Sequence, residues 1–318
     1  LSAPTETPAA ASPVVTPAPA PLPRSVTLTG FRYAPQKFNN CGPDSLAINL
    51  SYWGWPGDQD SIASAIKPDY YDRNVSPIEL YNFLLTQGFD AYIRVNGDLD
   101  TLKRYIAAGY PVLVEKGYTC EAGERCTGWF GHYSVFSGYD DDRQTFMTQD
   151  TFRGENLELA YDYVLNNWRA FNYLYLIVFP AGPERDAEVV RLLGDAADLT
   201  RNYYAALDRA EQEAASLAGQ EAAFAWFNVG TNLAYLQDYA GAARAYDESR
   251  TIGLPYRMLF YQFGPYRAYY YTGRYQDVID LANFALASVI GPPGLEESFY
   301  WRGQAEEVLP LAHPDDHR

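Results

Sequence analysis

The sequence predicts two units of different fold class, a mixed α and β unit over residues 25–180 and an all-helical repeat unit over residues 184–310. Three observations predict them. Helix and strand signals both occur before Pro180, and the strand signal disappears after it. Pro180 and the Gly182-Pro183 pair interrupt the chain between the two patterns. An aromatic and small-residue motif then recurs in the second unit. With 318 residues, the chain is long enough to form two hydrophobic cores.

The helices of the first unit are predicted by apolar spacing and by capping residues. Residues 43–53 place apolar side chains at helical spacing before Gly54. The run Ser76-Pro77-Ile78-Glu79 is a capping box with proline at the first helical position, and it predicts a helix to about Thr86. Residues 98–108 repeat this logic, with Gly109 as the stop.

The strands of the first unit are predicted by short runs of apolar, aromatic and β-branched residues. These runs cover residues 110–115, 132–139, 145–150 and 173–179. Three consecutive aspartates, Asp140 to Asp142, form a turn between the second and third runs, which predicts a hairpin. A short helix is expected at residues 161–168, before the last strand.

A repeat organises the second unit. Residues 186–217 are rich in Ala, Leu, Glu and Arg and predict a helical pair that would act as an atypical first repeat. Residues 238–246 then align with residues 274–282 at a shift of 36 positions, with aromatic, Gly, Tyr and Ala residues at helix-contact spacing. This pattern resembles the tetratricopeptide repeat, and an ordinary helical bundle is the alternative.

Composition excludes some partners and indicates a location. The 24 basic and 40 acidic residues leave a net charge of −16, which disfavours binding to nucleic acid and to anionic membrane surfaces. No apolar run has the length of a membrane-spanning helix, so the folded units are expected to make no membrane contact. Residues 1–24 are a Pro/Ala/Thr-rich tether of the kind that follows a signal peptide or an anchor, which predicts an extracytoplasmic protein. Residues 311–318 are expected to be a polar tail.

The three cysteines divide into a candidate pair and a single thiol. Cys120 and Cys126 lie six positions apart in a Gly-containing loop, which predicts a disulfide and fits an exported protein. Cys41 is left as the odd thiol, which needs an explanation such as catalysis. The two paired cysteines could instead bind zinc with His132 and Cys41, but their spacing is unlike that of usual zinc sites. No metal and no cofactor are expected.

Cys41 and His132 are the minimum that thiol catalysis needs. His132 is the one histidine of the three that lies inside the α/β unit, since His313 and His317 belong to the terminal tail. Cys41 precedes Gly42-Pro43 and a helix, so the positive end of the helix dipole would stabilise a thiolate. We therefore expect Cys41 to be the nucleophile and His132 its base. The alternative is a buried structural thiol.

Two further residues are expected to complete this site. Asp150 ends the strand that pairs with the His132 strand, so the hairpin brings its carboxylate to the far nitrogen of the imidazole. A turn cap is the alternative role for Asp150. Gln36 stands five residues before Cys41 and could place a side-chain amide in an oxyanion hole.

Three segments resemble one known family. Residues 36–46 with Cys-Gly-Pro, residues 131–140 with Gly-His-Tyr and Gly-Tyr-Asp, and the Gln149-Asp150 pair resemble the bacteriocin-processing, double-glycine peptidase family in its stand-alone branch. The resemblance implies a papain-like fold and a triad of Cys41, His132 and Asp150. It implies the oxyanion role for Gln36, with Asn39 or Asn40 as alternatives. Unlike exporter-linked members, this chain has no nucleotide-binding motif and carries a helical repeat unit instead.

The predicted function is therefore an exported papain-like cysteine peptidase that forms an acyl-thioester on a peptide or protein substrate. The helical repeat unit would recruit a protein partner. One alternative is a catalytically inactive binding module or scaffold. Another is a Cys-dependent acyl transferase or amidase on the same fold.

Overall fold

The computed structural model describes residues 21–67, 69–124 and 126–312, with side chains described to residue 309. The strands are Ser25–Thr27 (β1), Phe89–Arg94 (β2), Val112–Thr119 (β3), Trp129–Asp140 (β4), Thr145–Asp150 (β5), Gly154–Ala160 (β6) and Tyr175–Pro180 (β7). The helices interleaved with them are Cys41–Tyr52 (α1), Gln59–Ile66 (α2), Pro77–Thr86 (α3), Leu99–Ala107 (α4) and Tyr161–Trp168 (α5). The later helices are Pro183–Leu193 (α6), Leu199–Ser216 (α7), Gly219–Tyr235 (α8), Tyr239–Ile252 (α9), Gly264–Tyr271 (α10), Tyr275–Ala287 (α11) and Glu296–Ala312 (α12).

One antiparallel sheet organises the first half of the chain. Its strand order is β2-β7-β3-β4-β5-β6, and β1 pairs with the far end of β4. Every pairing in it is antiparallel. The predicted hairpin is confirmed, since β4 and β5 are paired neighbours. Strands β1, β2 and β6 were not expected from the sequence.

Local signals determine the helix ends. At the start of α3, Glu79 Oε2 accepts hydrogen bonds from the Ser76 backbone N–H at 2.7 Å and from Ser76 Oγ at 2.6 Å, which is the glutamate half of the predicted capping box. The Asp98 carboxylate accepts the backbone N–H of Thr101 at the start of α4. These two helices therefore begin where their capping residues place them.

The two faces of the sheet bury different helices. One core holds Leu46 and Leu50 of α1 and Leu80 of α3 against Val135 of β4. The other core holds Ile106 of α4 and Val164 of α5 together with Phe136 of β4. Because α1 is covered on the first face, its N-terminus has a fixed position relative to β4.

Helix α6 differs from its expected role. Residues 186–217 were predicted to form a helical pair belonging to the repeat unit. Instead, Val189 and Leu193 of α6 pack into the sheet core with Phe136 and Ile106. The apolar residues of α6 could pack either against the sheet or against the later helices. The path of the chain decides which of these two cores they join.

The later helices share a core with part of the sheet unit. Trp129 at the start of β4 and Phe171 after α5 belong to the same apolar cluster as Phe227, Tyr246 and Met258. The cluster makes a continuous contact between the two halves of the chain. None of the helices in the described ranges combines the length and the apolar composition that a membrane span requires.

Candidate active site

Cys41 is the first residue of α1 and carries a free, partly buried thiol. Helix α1 is held against β4, because Ser45 Oγ donates a hydrogen bond to the Tyr133 carbonyl at 3.0 Å. A Cβ at position 42 would lie 3.4 Å from Val75 Cβ and 3.5 Å from the Tyr133 ring. The first turn of α1 is therefore packed closely against its neighbours, and the thiol sits at the positive end of the helix dipole.

His132 and Asp150 are in direct contact. The distance from His132 Nε2 to Asp150 Oδ1 is 2.9 Å, and the two side chains are 1% and 0% exposed. His132 Nδ1 is buried and has no hydrogen-bond partner among the described residues. Because Asp150 occupies Nε2, Nδ1 is the ring nitrogen that remains available to a thiol.

The expected position of His132 at the start of its strand needs a correction. It is the fourth residue of β4, which begins at Trp129. The strand starts earlier because the ladder with β3 continues through Gly117 and Tyr118 to the pair Thr119 and Trp129. The residues before and after His132 are both paired with β3. The position of His132 is therefore more rigid than that of a residue at the end of a strand.

The Asp150 carboxylate is bound by several donors. Its Oδ1 accepts the backbone N–H groups of Phe152 at 3.0 Å and Arg153 at 2.9 Å, and its Oδ2 accepts Ser134 Oγ at 2.9 Å. Burial alone would raise the pKa of Asp150, but the charge and hydrogen bond of His132 lower it well below its usual value. Asp150 is therefore a carboxylate at neutral pH.

The same pair changes the proton affinity of His132. Burial lowers its pKa, but the charge and hydrogen bond of Asp150 outweigh burial and raise the pKa to about 9. The imidazolium form is thus favoured at neutral pH. That is the protonation state of a thiolate–imidazolium pair.

Gln36 is held beside the Asp150 segment. Thr151 Oγ1 donates to Gln36 Oε1 at 2.8 Å, and the Gln36 backbone N–H donates to the Thr151 carbonyl at 3.0 Å. The Gln36 Nε2 group makes no hydrogen bond to the described residues. Since its acceptor atom is already used, the amide presents a donor, which is what an oxyanion hole requires.

Asn39 and Asn40, the alternative sources of an oxyanion donor, differ in the hydrogen bonds of their side-chain amides. Asn40 Nδ2 donates a hydrogen bond to Gln59 Oε1 at 3.2 Å, and Asn40 Oδ1 accepts one from Lys67 Nζ at 3.2 Å. Asn39 Nδ2 is buried and has no partner in the part of the chain that the structure describes. Gln36 and Asn39 therefore remain candidates, whereas the Asn40 amide is already engaged.

Sequence reasoning missed two charged residues in this region. Lys116 of β3 is 1% exposed and places Nζ 3.8 Å from Asp150 Oδ2. Burial lowers the pKa of Lys116. Its neighbour Glu115 is 3% exposed, and burial raises its pKa well above the usual value. The available signal was an adjacent Glu-Lys pair directly after the apolar run Val112 to Val114.

Aromatic rings enclose the imidazole. The ring centroids of Tyr118, Phe130 and Phe152 lie 6.3, 6.1 and 6.4 Å from that of His132. These rings limit the access of water to the His132–Asp150 contact, which strengthens the electrostatic interaction between them.

Cys120 and Cys126 form a disulfide with a Cα–Cα distance of 5.7 Å. The disulfide uses both thiols that the zinc alternative would need. Cys41 is left as the free thiol. His313 and His317, which were assigned to the terminal tail, lie outside the described residues.

The structure pairs a buried imidazole with a carboxylate through one ring nitrogen and leaves the other nitrogen available, and it places a thiol at the N-terminus of α1, which packs on the strand that carries His132. Such an arrangement can deprotonate the thiol for attack on a carbonyl carbon and can return the proton to a leaving group.

Comparisons with known proteins show that this region is similar to a sequence family. Residues 28–176 match the model of the Peptidase_C39 like family. With this match, the predicted fold class is confirmed, an α+β papain-like domain followed by a helical domain. A comparison with curated proteins found no match.

Three solved structures are similar to about half of the chain. One is described as a C39-like peptidase from Bacillus anthracis, with a TM-score of 0.40 and 16% identity over 50% of this chain and 99% of that one. A double glycine motif protease from an AMS/PCAT transporter, in complex with its leader peptide, has a TM-score of 0.38 and 14% identity over 49% and 95%. The peptidase domain of Streptococcus ComA, a bi-functional ABC transporter of a quorum-sensing pathway, has a TM-score of 0.37 and 17% identity over 48% and 99%.

Proposed function

Since residues 28–176 form a domain of the C39-like peptidase family, we propose that this chain is an exported cysteine peptidase with a Cys41–His132–Asp150 triad. The observation that carries the proposal is the pairing of His132 Nε2 with Asp150 at 2.9 Å, with Nδ1 left for the thiol. Sequence position, burial and charge all support this assignment of roles.

In the proposed reaction, the Cys41 thiolate attacks the carbonyl carbon of a peptide bond. The tetrahedral oxyanion takes hydrogen bonds from the backbone N–H of Cys41 and the Gln36 side chain. The C–N bond then breaks, and the His132 imidazolium gives its proton to the leaving amine. Water, deprotonated by His132, attacks the acyl-thioester and releases the acid, which restores the thiolate and the imidazolium. Asp150 keeps the ring in orientation and stabilises its charged form.

The proposal assigns residues 25–180 to catalysis and residues 184–310, apart from helix α6 in the sheet core, to a tetratricopeptide-like domain that recruits a protein. It assigns residues 1–24 to a surface tether and residues 311–318 to a tail. The disulfide between Cys120 and Cys126 supports an oxidising, extracytoplasmic setting. The helices from α7 to α12 support a helical recruiting domain. The substrate would be a peptide or a protein.

The test combines labelling with a cleavage screen on the full chain. Wild type should react at Cys41 with an iodoacetamide probe near neutral pH and should cleave members of a peptide library. Cys41→Ala should lose both, and His132→Ala should lose cleavage while keeping the thiol. Library cleavage that persists in Cys41→Ala would contradict the proposal. A wild type that cleaves nothing and reacts like free cysteine would favour the scaffold alternative.

A further inference from the structure

The linker between α11 and α12, residues 288–295, lies against a segment of the peptidase domain, residues 70–75, that precedes α3. Asp72 and Gly294 form a parallel β-bridge, and the Arg73 backbone N–H donates a hydrogen bond to the Gly294 carbonyl at 3.0 Å. Arg73 Nη2 also donates to two carbonyls of the linker, at 3.2 and 3.5 Å. The main chain of the helical domain thus holds residues 70–75 in place.

The two backbones approach each other most closely at Gly294. A Cβ at this position would lie 2.1 Å from the Tyr71 carbonyl oxygen and 2.5 Å from the Asp72 backbone nitrogen. These are main-chain atoms, which cannot turn aside as a flexible side chain can. Asp72 is 1% exposed and Leu295 is 2% exposed, so the contact is buried on both sides. A side chain at position 294 would therefore push the linker away from residues 70–75.

Residues 70–75 also contact the chain just before Cys41. The Tyr70 ring stacks on Phe38, three positions before the nucleophile, with ring centroids 5.4 Å apart. The Arg73 guanidinium lies 5.7 Å from the centroid of the same Phe38 ring. Arg73 therefore contacts both the α11–α12 linker and the stretch of chain that leads into Cys41.

The same segment supports the chain just after Cys41. A Cβ at position 42 would lie 3.4 Å from Val75 Cβ, so the first turn of α1 packs directly on Val75. The Tyr133 hydroxyl donates a hydrogen bond to the Val75 carbonyl at 3.1 Å, which ties Val75 to β4, and Val75 is 3% exposed. The segment held by the linker thus lies against both flanks of Cys41.

We propose that the α11–α12 linker positions Cys41 for reaction, with Gly294 and Arg73 as positioning residues that act through residues 70–75. This inference rests on the proposed peptidase function and deepens it. The helical domain then does more than recruit a protein, because its docked linker keeps the thiol in place at the N-terminus of α1. When the linker is displaced, both flanks of Cys41 lose a support, and the thiolate–imidazolium pair of the proposed mechanism forms less readily.

The test measures the rate of Cys41 alkylation by iodoacetamide in the full chain at pH 6 and at pH 9.5. An accessible thiol is largely ionised at the higher pH, whereas at pH 6 rapid reaction requires a thiolate that its neighbours stabilise. Gly294→Ala separates the linker from residues 70–75, so the ratio of the pH 6 rate to the pH 9.5 rate should fall on the order of tenfold. A change in access alone would alter both rates equally and leave this ratio unchanged.

Arg73→Met keeps the proposal testable if Gly294→Ala does not fold. It removes the hydrogen bonds to the Ile290 and Pro292 carbonyls and the guanidinium beside Phe38, while it keeps a long side chain. The ratio of the two rates should fall by about threefold, as expected for the loss of a hydrogen-bonded contact. Arg73→Lys retains a donor and a positive charge and should restore part of the wild-type ratio.

Gly303→Ala is the matched control, because it is the same substitution in α12 and an added Cβ there meets no neighbouring atom within 4 Å. It should keep both wild-type rates, and denaturant unfolding verifies that each variant is folded at the two pH values. If the wild-type thiol reacts rapidly at pH 6 and the ratio is unchanged in folded Gly294→Ala or Arg73→Met, the proposal is overturned and the proposed function stands. A wild-type thiol that reacts at pH 6 no faster than free cysteine would overturn the proposed function and this inference with it.

Discussion

Lys116 and His132 stand directly opposite each other in the β3–β4 ladder, and both reach the carboxylate of Asp150. One buried anion therefore faces two buried cationic groups. The His132 contact is the shorter, at 2.9 Å against 3.8 Å for Lys116. The charge of Lys116 acts on His132 as well, and it lowers the pKa of the imidazole.

Replacing Lys116 with methionine should raise the pKa of His132 above that of wild type, because a positive charge close to the imidazolium is removed. The free energy of unfolding should not fall, since a buried charge gives way to an apolar side chain of similar length. The His132 ring proton signals, followed by NMR against pH, measure the first effect, and denaturant unfolding measures the second.

Lys103→Met is the matched control for that change. Lys103 pairs with Asp141 at 3.1 Å, away from the site, so its removal should leave the His132 titration as in wild type. A His132 pKa that stays constant or falls in Lys116→Met would contradict the arrangement of the three charges.

Stability should decrease as the pH rises through the range in which His132 loses its proton. The pKa of His132 is raised from 6.5 to about 9, so the folded state binds the proton more tightly than the unfolded state. This contribution is fully present below pH 6.5 and is lost as the pH passes 9. It corresponds to about 3 kcal/mol of unfolding free energy.

Guanidinium unfolding at pH 6 and at pH 9.5 measures this loss. The variant His132→Asn lacks the titrating ring and should show a flatter pH dependence over the same interval. If both proteins lose the same stability, the pH dependence arises elsewhere in the chain.

Removing the Gln36 amide should slow peptide hydrolysis without slowing thiol alkylation. In Gln36→Ala the oxyanion loses one donor, which costs on the order of 10²–10³ in kcat. Iodoacetamide forms no tetrahedral oxyanion, so the alkylation rate of Cys41 should stay close to that of wild type. The measurement uses a peptide identified in the library screen.

Asn39→Ala decides between the two remaining donors. It should have the smaller effect on kcat if Gln36 supplies the oxyanion contact. The reverse order would assign that contact to the buried, unpartnered Asn39 amide.

Breaking the disulfide should lower stability and preserve the site. The double substitution Cys120→Ser and Cys126→Ser removes the cross-link that closes a short loop. The unfolded chain then gains conformational entropy, which should lower the free energy of unfolding by about 2 kcal/mol. Denaturant unfolding under oxidising conditions measures the change, and the wild type under reducing conditions should match the variant. Cys41 should still react with iodoacetamide, and a loss of this reactivity would show that the loop supports the thiol.

The sequence by itself was sufficient for the features that depend on neighbouring residues. Capping residues predicted α3 and α4, turn residues predicted the β4–β5 hairpin, and the hairpin connected His132 to Asp150. Each of these signals acts over a few residues or through one tight turn. The family resemblance rested on the same local motifs.

Only the tertiary structure decided which distant residues meet. Lys116 joins Asp150 because β3 pairs with β4 in one register, and Tyr261 reaches Gly131 because the chain returns to the sheet after α9. α6 joins the sheet core for the same reason. Apolar and charged patterns indicate that a side chain will be buried, but they carry no information about its partner. That choice depends on the path of the whole chain and on the packing of two cores against each other.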